Sequence, residues 1–367
     1  MRVLIAPDKF KGTLTASEAA ACIARGWARV RPADELVLRP ISDGGDGFGA
    51  VLAELRGAKR VRTVAVDAAG RRCVATWWWE ACSRTAIIES ARVIGLAMLP
   101  RGRFHPFQLD TRGLGMVLRA AQRRGAKQCL VGIGGSATND GGFGLARALG
   151  WRFLDRRGDE ISSWTELPKL VRIEPPAHRD WPTRLVVAVD VQNPLLGRRG
   201  CTRVYGPQKG LRPQDFPAAE EALRTLARVV RAQFGRDIAS ETGAGAAGGL
   251  GFGLVAFAGA RRVAGFELVA RESGLVAQLR RTDLVITGEG RLDRSTLMGK
   301  GVGELAAWCR RLRVPCVGLG GALDDEKLLR GKFSQVAALT RLTSPAEAEA
   351  RARRWLPQLA AQVARQF

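Results

Sequence analysis

Lysines in short glycine-containing loops are the first feature of this sequence with chemical meaning. Lys9 and Lys11 follow the first apolar run, and Lys209 and Lys300 are each adjacent to glycine. Only nine of the 58 basic residues are lysines, and these four lie in such loops. Because a lysine ammonium binds phosphate oxygens as a point charge, the pattern indicates a protein that handles phosphates.

Carboxylates accompany the lysines, mostly at points where the sequence predicts that strands end. They are Asp8, Asp43, Asp190, Glu289 and Asp293. Phosphoryl transfer needs carboxylates that hold Mg²⁺, cations that hold the phosphates, and a group that orients the acceptor hydroxyl. Any one of these side chains is as typical of a solvated or capping loop residue as of an active site, so only the combination favours phosphoryl transfer.

Residues 132–142 read GIGGSATNDGG and lie between a predicted strand and a predicted helix. Backbone N–H groups at such positions bind anions. The segment fits GxGxxA at its start, and residues 243–248 fit GxGxxG, but the first carries an Asn-Asp-Gly-Gly insertion and the second follows a helix and a polar loop. Neither predicts a dinucleotide site. An ordinary P-loop is excluded, because Arg294 stands where the first glycine before Gly299 and Lys300 would be.

Hydrolytic chemistry finds little support. The chain has two histidines, His105 and His178, and neither lies in a zinc-ligand pattern such as HExxH. The pattern GxSxG is absent around Ser136, so the sequence does not favour a serine nucleophile activated by histidine.

The formal net charge is +23 and the isoelectric point is about 11.1. Such a charge could attract nucleic acid or an anionic membrane. The arginines are scattered in pairs such as Arg123 and Arg124, however, and no zinc-finger, RNA-recognition or basic-zipper pattern accompanies them. We therefore do not expect nucleic acid as the main partner.

Seven cysteines without a CxxC pair, and an N-terminus that leads straight into a strand, favour a reducing cytoplasm. The longest apolar run, residues 250–260, is much shorter than the ~20 residues that span a bilayer. We expect a cytoplasmic protein without a membrane partner, and a homo-oligomer is compatible with the sequence.

Strands alternate with helices at both chain ends, which predicts a doubly wound parallel sheet. One of these strands is residues 284–287, which we expect to end at Gly288. Residues 63–280 contain closely spaced strands typical of a sheet with antiparallel pairs. The predicted fold is α/β, with a first domain formed by residues 1–62 and 281–367 and a second α/β domain, residues 63–280, inserted into it.

Taken in order, the motifs resemble those of the glycerate kinase family of the bacterial two-domain type. The matching stretches cover nearly the whole chain: APDKFKG (6–12), DGGDG (43–47), residues 132–142, DVQNPL (190–195), GPQKG (206–210), residues 243–249 and TGEGRLD (287–293). The resemblance implies a flavodoxin-like domain with an inserted second domain, the ligands ATP, Mg²⁺ and D-glycerate, and a site in a cleft between the domains. It also implies phosphoglycerate as the product, commonly the 2-phosphate.

On this resemblance we expect Asp190 to orient or deprotonate the attacking hydroxyl, with Asn193 nearby and Lys11 assisting. Asp43 and Glu289 are expected to hold Mg²⁺. The residues expected to contact the phosphates and the nucleotide are Gly134, Gly135, Ser136, Lys209, Gly288 and Lys300. The residues expected to contact the substrate are Asp8, Arg291 and Asp293.

Several positions depart from the family pattern. Lys9 replaces a usual serine, Asp46 a glutamate and Ser295 a glutamine, and residues 111–115 and 301–302 differ as well. Two alternatives follow from these departures and from the charge. One is a kinase for a related small hydroxy acid, and the other is a non-catalytic protein that binds anions or nucleic acid on the same scaffold.

Overall fold

The structure is a computed structural model and describes residues 1–179, 181–182, 184–297 and 301–367. Its internal contacts divide the chain into two compact units. The first unit comprises Met1–Asp43, Ala50–Arg56 and Gly265–Phe367, and the second comprises Gly44–Gly49 and Gly57–Ala264. No helix in the described ranges combines the length and the apolar character that crossing a membrane requires.

Within the described residues the strands are, in chain order, β1 (Arg2–Ile5), β2 (Glu35–Leu38), β3 (Lys59–Val66), β4 (Arg72–Glu80), β5 (Thr85–Glu89), β6 (Gln128–Gly132), β7 (Arg152–Leu154), β8 (Arg172–Glu174), β9 (Arg184–Ala188), β10 (Arg261–Val263), β11 (Leu284–Leu292), β12 (Cys316–Leu323) and β13 (Gln335–Ala338).

The α-helices in the same residues are α1 (Ala16–Ala28), α2 (Phe48–Arg56), α3 (Ala91–Ile94), α4 (Arg112–Arg123), α5 (Phe143–Ala148), α6 (Cys201–Lys209), α7 (Phe216–Phe234), α8 (Ala246–Ala258), α9 (Gly265–Glu272), α10 (Leu275–Leu279), α11 (Gly301–Leu312), α12 (Glu326–Arg330), α13 (Pro345–Ala350) and α14 (Ala352–Ala364). Short 3₁₀ helices lie at Leu96–Met98, Pro106–Gln108, Trp164–Lys169, Pro213–Asp215, Ile238–Ser240, Arg294–Leu297 and Leu339–Arg341.

The first unit contains a parallel sheet in the order β13-β12-β11-β1-β2. Val3 and Ile5 pack in one apolar cluster with residues of α1 and α14, whereas Leu4 packs in another with residues of α9, α10 and α11. Since neighbouring residues of a strand point to opposite faces, helices cover both faces of this sheet. The predicted doubly wound, flavodoxin-like sheet formed by both chain ends is confirmed.

The second unit contains a mixed sheet in the order β10-β9-β6-β5-β4-β3. The pairs β3–β4 and β4–β5 are antiparallel, and β5–β6, β6–β9 and β9–β10 are parallel. Every residue of β5 is buried, as a strand covered on both faces requires. The expected second α/β fold with a mixed sheet is therefore confirmed, and β7 and β8 form a separate antiparallel pair.

Local signals account for where helices begin and end. The Thr15 side chain accepts from the N–H of Glu18, and the Glu18 carboxylate accepts from the N–H of Thr15, so a capping box starts α1. Gly235 ends α7 at a φ of 68° with a bond from its N–H to the Arg231 carbonyl.

The strand that we expected to end at Gly288 instead continues to Leu292 as β11. Glu289 and Arg291 therefore pair in register with Gly320 and Ala322 of β12 rather than lying in a loop. The physical reason is close backbone packing, because a Cβ on Gly288 would lie 2.0 Å from the Leu319 carbonyl oxygen. Glycine at this position lets the two strands stay paired beyond the predicted end.

A second case of close packing joins residues 243–253 to residues 138–142 within the second unit. A Cβ on Gly248 would lie 1.9 Å from the Thr138 carbonyl oxygen, and one on Gly253 would lie 2.6 Å from the Gly142 Cα. The N–H of Gly141 donates to the Gly248 carbonyl at 3.1 Å. The glycines of the later segment therefore serve as a packing surface for the earlier one.

We predict that Gly248→Ala lowers the free energy of unfolding by about 2–5 kcal/mol, because the new methyl group meets a backbone carbonyl and the backbone is left-handed. Gly235→Ala is the matched control, since Gly235 has a similar φ of +68° but an added Cβ there meets nothing within 4 Å. It should cost about 1 kcal/mol through backbone strain alone. Urea denaturation followed by circular dichroism measures both, and equal losses would contradict the packing explanation.

Candidate functional site

Asp8, which follows β1, is the most deeply buried carboxylate of the first unit's candidate residues. Its side chain accepts from the N–H of Lys9 at 2.6 Å, and its own N–H donates to the Gly288 carbonyl at 2.8 Å. The Lys9 Nζ lies 3.9 Å from Asp8 Oδ1 and 3.6 Å from Asp43 Oδ1. Burial raises the pKa of Asp8 to about 7, against the lowering effect of Lys9, and the charges of Asp43 and Glu289 add to the rise.

Glu289 and Asp293 are held by the turn that follows β11. The Thr296 hydroxyl donates to Glu289 Oε1 at 2.8 Å. Asp293 Oδ1 accepts from the N–H groups of Ser295 at 2.6 Å and Thr296 at 3.2 Å. Asp293 therefore caps the 3₁₀ turn that orients Thr296 toward Glu289.

The fit of these carboxylates to Mg²⁺ depends on how many ligands the protein must supply. The described residues contain no group of three or more His, Cys, Asp or Glu side chains arranged to hold a metal ion. Mg²⁺ in phosphoryl-transfer enzymes is usually bound through one or two carboxylates together with substrate phosphates. Asp43 and Glu289, whose charges both act on Asp8, fit that requirement.

Lys11 and Arg291 are both exposed, but their surroundings differ. Lys11 lies in the turn that joins Phe10 to Leu14, and no described residue pairs with its ammonium. The guanidinium of Arg291 donates to Asp324 Oδ2 at 2.8 Å, which raises the pKa of Arg291. A carboxylate ligand would thus compete with Asp324 for Arg291. Lys300 lies outside the described residues.

In the second unit, residues 132–142 form a loop (the 132–142 loop) between β6 and α5. Among the described residues, the backbone N–H groups of Gly134, Gly135 and Ser136 donate to no protein acceptor. Adjacent groups are paired, since the N–H of Ala137 donates to the Ile94 carbonyl at 2.9 Å. Three consecutive N–H groups are therefore available to an anion, as in other backbone anion sites.

Another glycine-rich segment lies against the start of this loop. A Cβ on Gly134 would come within 2.6 Å of the Gly45 Cα, and one on Gly135 within 2.7 Å of Asp46 Oδ1. Glu89 fixes the segment by accepting from the N–H groups of Gly47 at 2.9 Å and Gly49 at 3.3 Å. Residues 44–49 and 132–135 can approach this closely because Gly134 and Gly135 have no side chains.

Lys209 lies in the last turn of α6, so our prediction that it belongs to a loop is wrong. Its side chain is buried, and Nζ donates to the Thr138 carbonyl at 2.6 Å. Burial lowers the pKa of Lys209 to about 8, and the charge of Asp140 opposes that shift. Pro207 lies inside this helix, and Gly210 ends it at a φ of 105°. The short GPQKG pattern predicts a turn, but the packing around Lys209 favours a helical end.

Asp190 and Asn193 follow β9, the parallel neighbour of β6. Because Ala188 pairs with Gly132, Asp190 and the 132–142 loop follow the same edge of the sheet, where ligands of open α/β sheets bind. Asp190 is exposed.

The Asn193 amide donates to the Arg199 carbonyl at 2.7 Å and its oxygen accepts from the Tyr205 hydroxyl at 2.6 Å, so Asn193 shapes the segment after Asp190.

Asp140 is a residue that the sequence reasoning did not single out. It is fully buried and accepts from the N–H of Thr111 at 2.9 Å, from the Thr111 hydroxyl at 2.7 Å and from the N–H groups of Gly142 and Gly144. Burial raises the pKa of Asp140 to about 6, and the charge of Asp110 adds to the rise. The available signal was an aspartate between Asn139 and two glycines in a glycine-rich loop.

The chain resembles glycerate kinases over its whole length. The sequence profile of the glycerate kinase family matches residues 3–367. A glycerate kinase of Halalkalibacterium halodurans is 38% identical over 327 residues, which are 88% of this chain and 86% of that protein. Glycerate 2-kinase of Escherichia coli K12 is 37% identical over 332 residues, 89% of this chain and 86% of that protein. The crystal structure of a glycerate kinase 2 from Salmonella typhimurium LT2 superposes with a TM-score of 0.87 at 33% identity, covering 100% of this chain and 98% of that one.

The raised pKa of Asp8 predicts a particular dependence of stability on pH. Between pH of about 4 and 7 the folded state keeps a proton that the unfolded state has lost, so Asp8 makes the free energy of unfolding fall as the pH rises. The slope for one proton is at most about 1.4 kcal/mol per pH unit.

Asp8→Asn removes this contribution and should flatten the curve in buffer that contains a chelator. Urea denaturation at several pH values measures the slope, and Glu267→Gln, an exposed change in the same unit, is the control. Parallel curves for wild type and Asp8→Asn would contradict the assignment.

Proposed function

The chain belongs to the glycerate kinase family, and on that premise we propose that it transfers the γ-phosphoryl group of ATP to a hydroxyl of D-glycerate. The observation that carries the proposal is the row of three N–H groups, at Gly134, Gly135 and Ser136, that lack a protein acceptor in the described chain. They follow the same sheet edge as the exposed carboxylate of Asp190. Donors that hold phosphate oxygens and a carboxylate that orients the acceptor are groups that transfer of a phosphoryl group to a hydroxyl requires.

In the proposed reaction the 132–142 loop holds phosphate oxygens through these backbone N–H groups. Asp190 orients the attacking hydroxyl and accepts its proton as the oxygen bonds to the γ-phosphorus. The bond from that phosphorus to the bridging oxygen breaks, and ADP leaves. Lys11, whose ammonium has no partner among the described residues, supplies positive charge for the phosphates, and we propose the same role for Lys300.

For the remaining residues the proposal follows their chemistry. Asp43 and Glu289 would hold Mg²⁺, which when bound neutralises charge on the phosphates. Arg291 is proposed to bind the glycerate carboxylate in exchange for Asp324, and Asp8 and Asp293 are proposed to bind the hydroxyl groups of glycerate. We propose 2-phosphoglycerate as the product, supported by the name of the Escherichia coli relative, glycerate 2-kinase.

Asn193 has a more limited role in this proposal. Both ends of its amide bind within residues 193–205, and its carbonyl accepts from the N–H of Gly245 at 2.9 Å. We propose that Asn193 fixes the path of the chain after Asp190 and so positions the carboxylate.

The direct experiment is ADP release with ATP, Mg²⁺ and D-glycerate, followed by identification of the product by ³¹P and ¹³C NMR. We expect turnover with D-glycerate and a phosphate on the 2-hydroxyl. Faster turnover with another small hydroxy acid would identify that acid, rather than glycerate, as the substrate. Absence of turnover, together with DNA binding that weakens steeply with salt, would support the non-catalytic alternative.

Asp190→Asn is predicted to lower kcat by about 100-fold or more, because the amide cannot accept the proton. The fold should persist, since Asp190 is exposed and Asn is nearly isosteric. Asp159→Asn, an exposed carboxylate elsewhere in the second unit, is the matched control and should keep wild-type activity. Wild-type kcat in Asp190→Asn would remove the role assigned to this residue.

A further inference from the structure

The three available N–H groups lie in a loop that contains five glycines, so something must hold that loop in one conformation. Glycine-rich backbone loses more conformational entropy on ordering than any other. Fixed donors stabilise developing charge far better than mobile ones. The proposed function therefore requires a rigid loop. Contacts made by the rest of the loop must supply that rigidity.

One contact is the hydrogen bond from Lys209 Nζ to the Thr138 carbonyl at 2.6 Å. Lys209 is only 6% exposed, and Thr138 is completely buried. An ammonium that lies behind the loop, bonded to its backbone, is not presented to solvent as a ligand-binding group would be. It holds the peptide group two residues beyond Ser136.

The second contact holds the other half of the loop. Asp140 accepts from the hydroxyl and the N–H of Thr111 and from the N–H groups of Gly142 and Gly144. The Thr111 hydroxyl also accepts from the N–H of Leu145 at 2.8 Å. One threonine therefore links the start of α4, the loop and the start of α5.

Buried charges are a costly way to hold a loop, which is why their presence needs a reason. Moving a charged side chain out of water costs free energy, which its hydrogen bonds in the protein must offset. Lys209 and Asp140 are both buried, and the charge of Asp140 opposes the lowering of the Lys209 pKa by burial. Stability alone does not explain why Lys209 and Asp140 are buried here. Fixing two parts of one backbone loop requires strong, directional hydrogen bonds, which charged groups form.

We propose that Lys209, Thr138, Asp140 and Thr111 form a buried loop anchor, in which Lys209 and Asp140 are positioning residues that fix the N–H groups of residues 134–136. This inference rests on the proposed function and changes one part of it. The contact of Lys209 with phosphate expected from the sequence is replaced by an indirect role through the Thr138 carbonyl.

The test measures hydrogen–deuterium exchange of peptides from the 132–142 loop, by mass spectrometry and without any ligand. Lys209→Met, which removes the donor at similar length, is expected to speed this exchange at least tenfold and to lower kcat for ADP release at least tenfold. Lys209→Gln keeps an N–H donor and should recover part of both. Lys169→Met, at an exposed lysine of the same unit, should match wild type.

A second pair of variants decides the question if Lys209→Met fails to fold. Thr111→Val removes the hydroxyl at constant shape and should speed loop exchange, whereas Thr111→Ser keeps the hydroxyl and should not. Wild-type exchange in Lys209→Met, combined with weaker nucleotide binding, would overturn the proposal in favour of direct phosphate contact. Equal exchange in Thr111→Val and Thr111→Ser would overturn it as well.

Failure of the anchor and failure of the proposed function are distinguishable, because the exchange experiment contains no substrate. If the wild-type protein does not phosphorylate glycerate but the variants loosen the loop, the proposed function fails and the anchor stands. If the wild type is active and the variants leave the loop unchanged, the anchor fails and the function stands.

Discussion

At Gly248 two backbone segments approach so closely that a Cβ would lie 1.9 Å from the carbonyl oxygen of Thr138. That same oxygen accepts the hydrogen bond of the buried Lys209 ammonium. The Thr138 carbonyl therefore contacts both the packed Gly248 segment and the buried ammonium. The N–H groups of the 132–142 loop depend on these two contacts, because backbone donors stabilise an anion well only when their positions are fixed before it binds.

Among the described ionisable groups that burial shifts toward their neutral forms are Asp8, Asp140 and Lys209. The pKa of Asp8 rises to about 7 and that of Asp140 to about 6, while that of Lys209 falls to about 8. Such shifts are typical of functional sites, although structural networks produce them too. The surroundings of each residue distinguish a functional site from a structural network. Asp8 lies among other carboxylates and Lys9, whereas Asp140 and Lys209 are bonded to loop backbone and hydroxyl groups.

Patterns within short stretches of sequence predicted the doubly wound sheet and the mixed second sheet, because periodicity and chain order determine which strands can pair. The same patterns placed Lys209 in a loop and ended β11 at Gly288, and both predictions were wrong. Helix packing around Lys209 and the pairing of β11 with β12 are contacts between distant parts of the chain, which no local pattern contains. The burial of Asp140 was missed for the same reason. The domain limits at 63 and 280 and the roles of the site residues stay predictions.

The most direct measurement is a ¹⁵N–¹H NMR titration of the wild-type protein with a non-hydrolysable ATP analogue and Mg²⁺. We expect the amide signals of Gly134, Gly135 and Ser136 to move strongly and saturably, since these N–H groups gain phosphate acceptors. The signals of buried amides such as Gly141 and Ala137, which already donate to carbonyls, should move far less. Saturable nucleotide binding that leaves the signals of residues 134–136 unmoved would contradict the role of these N–H groups in phosphate binding.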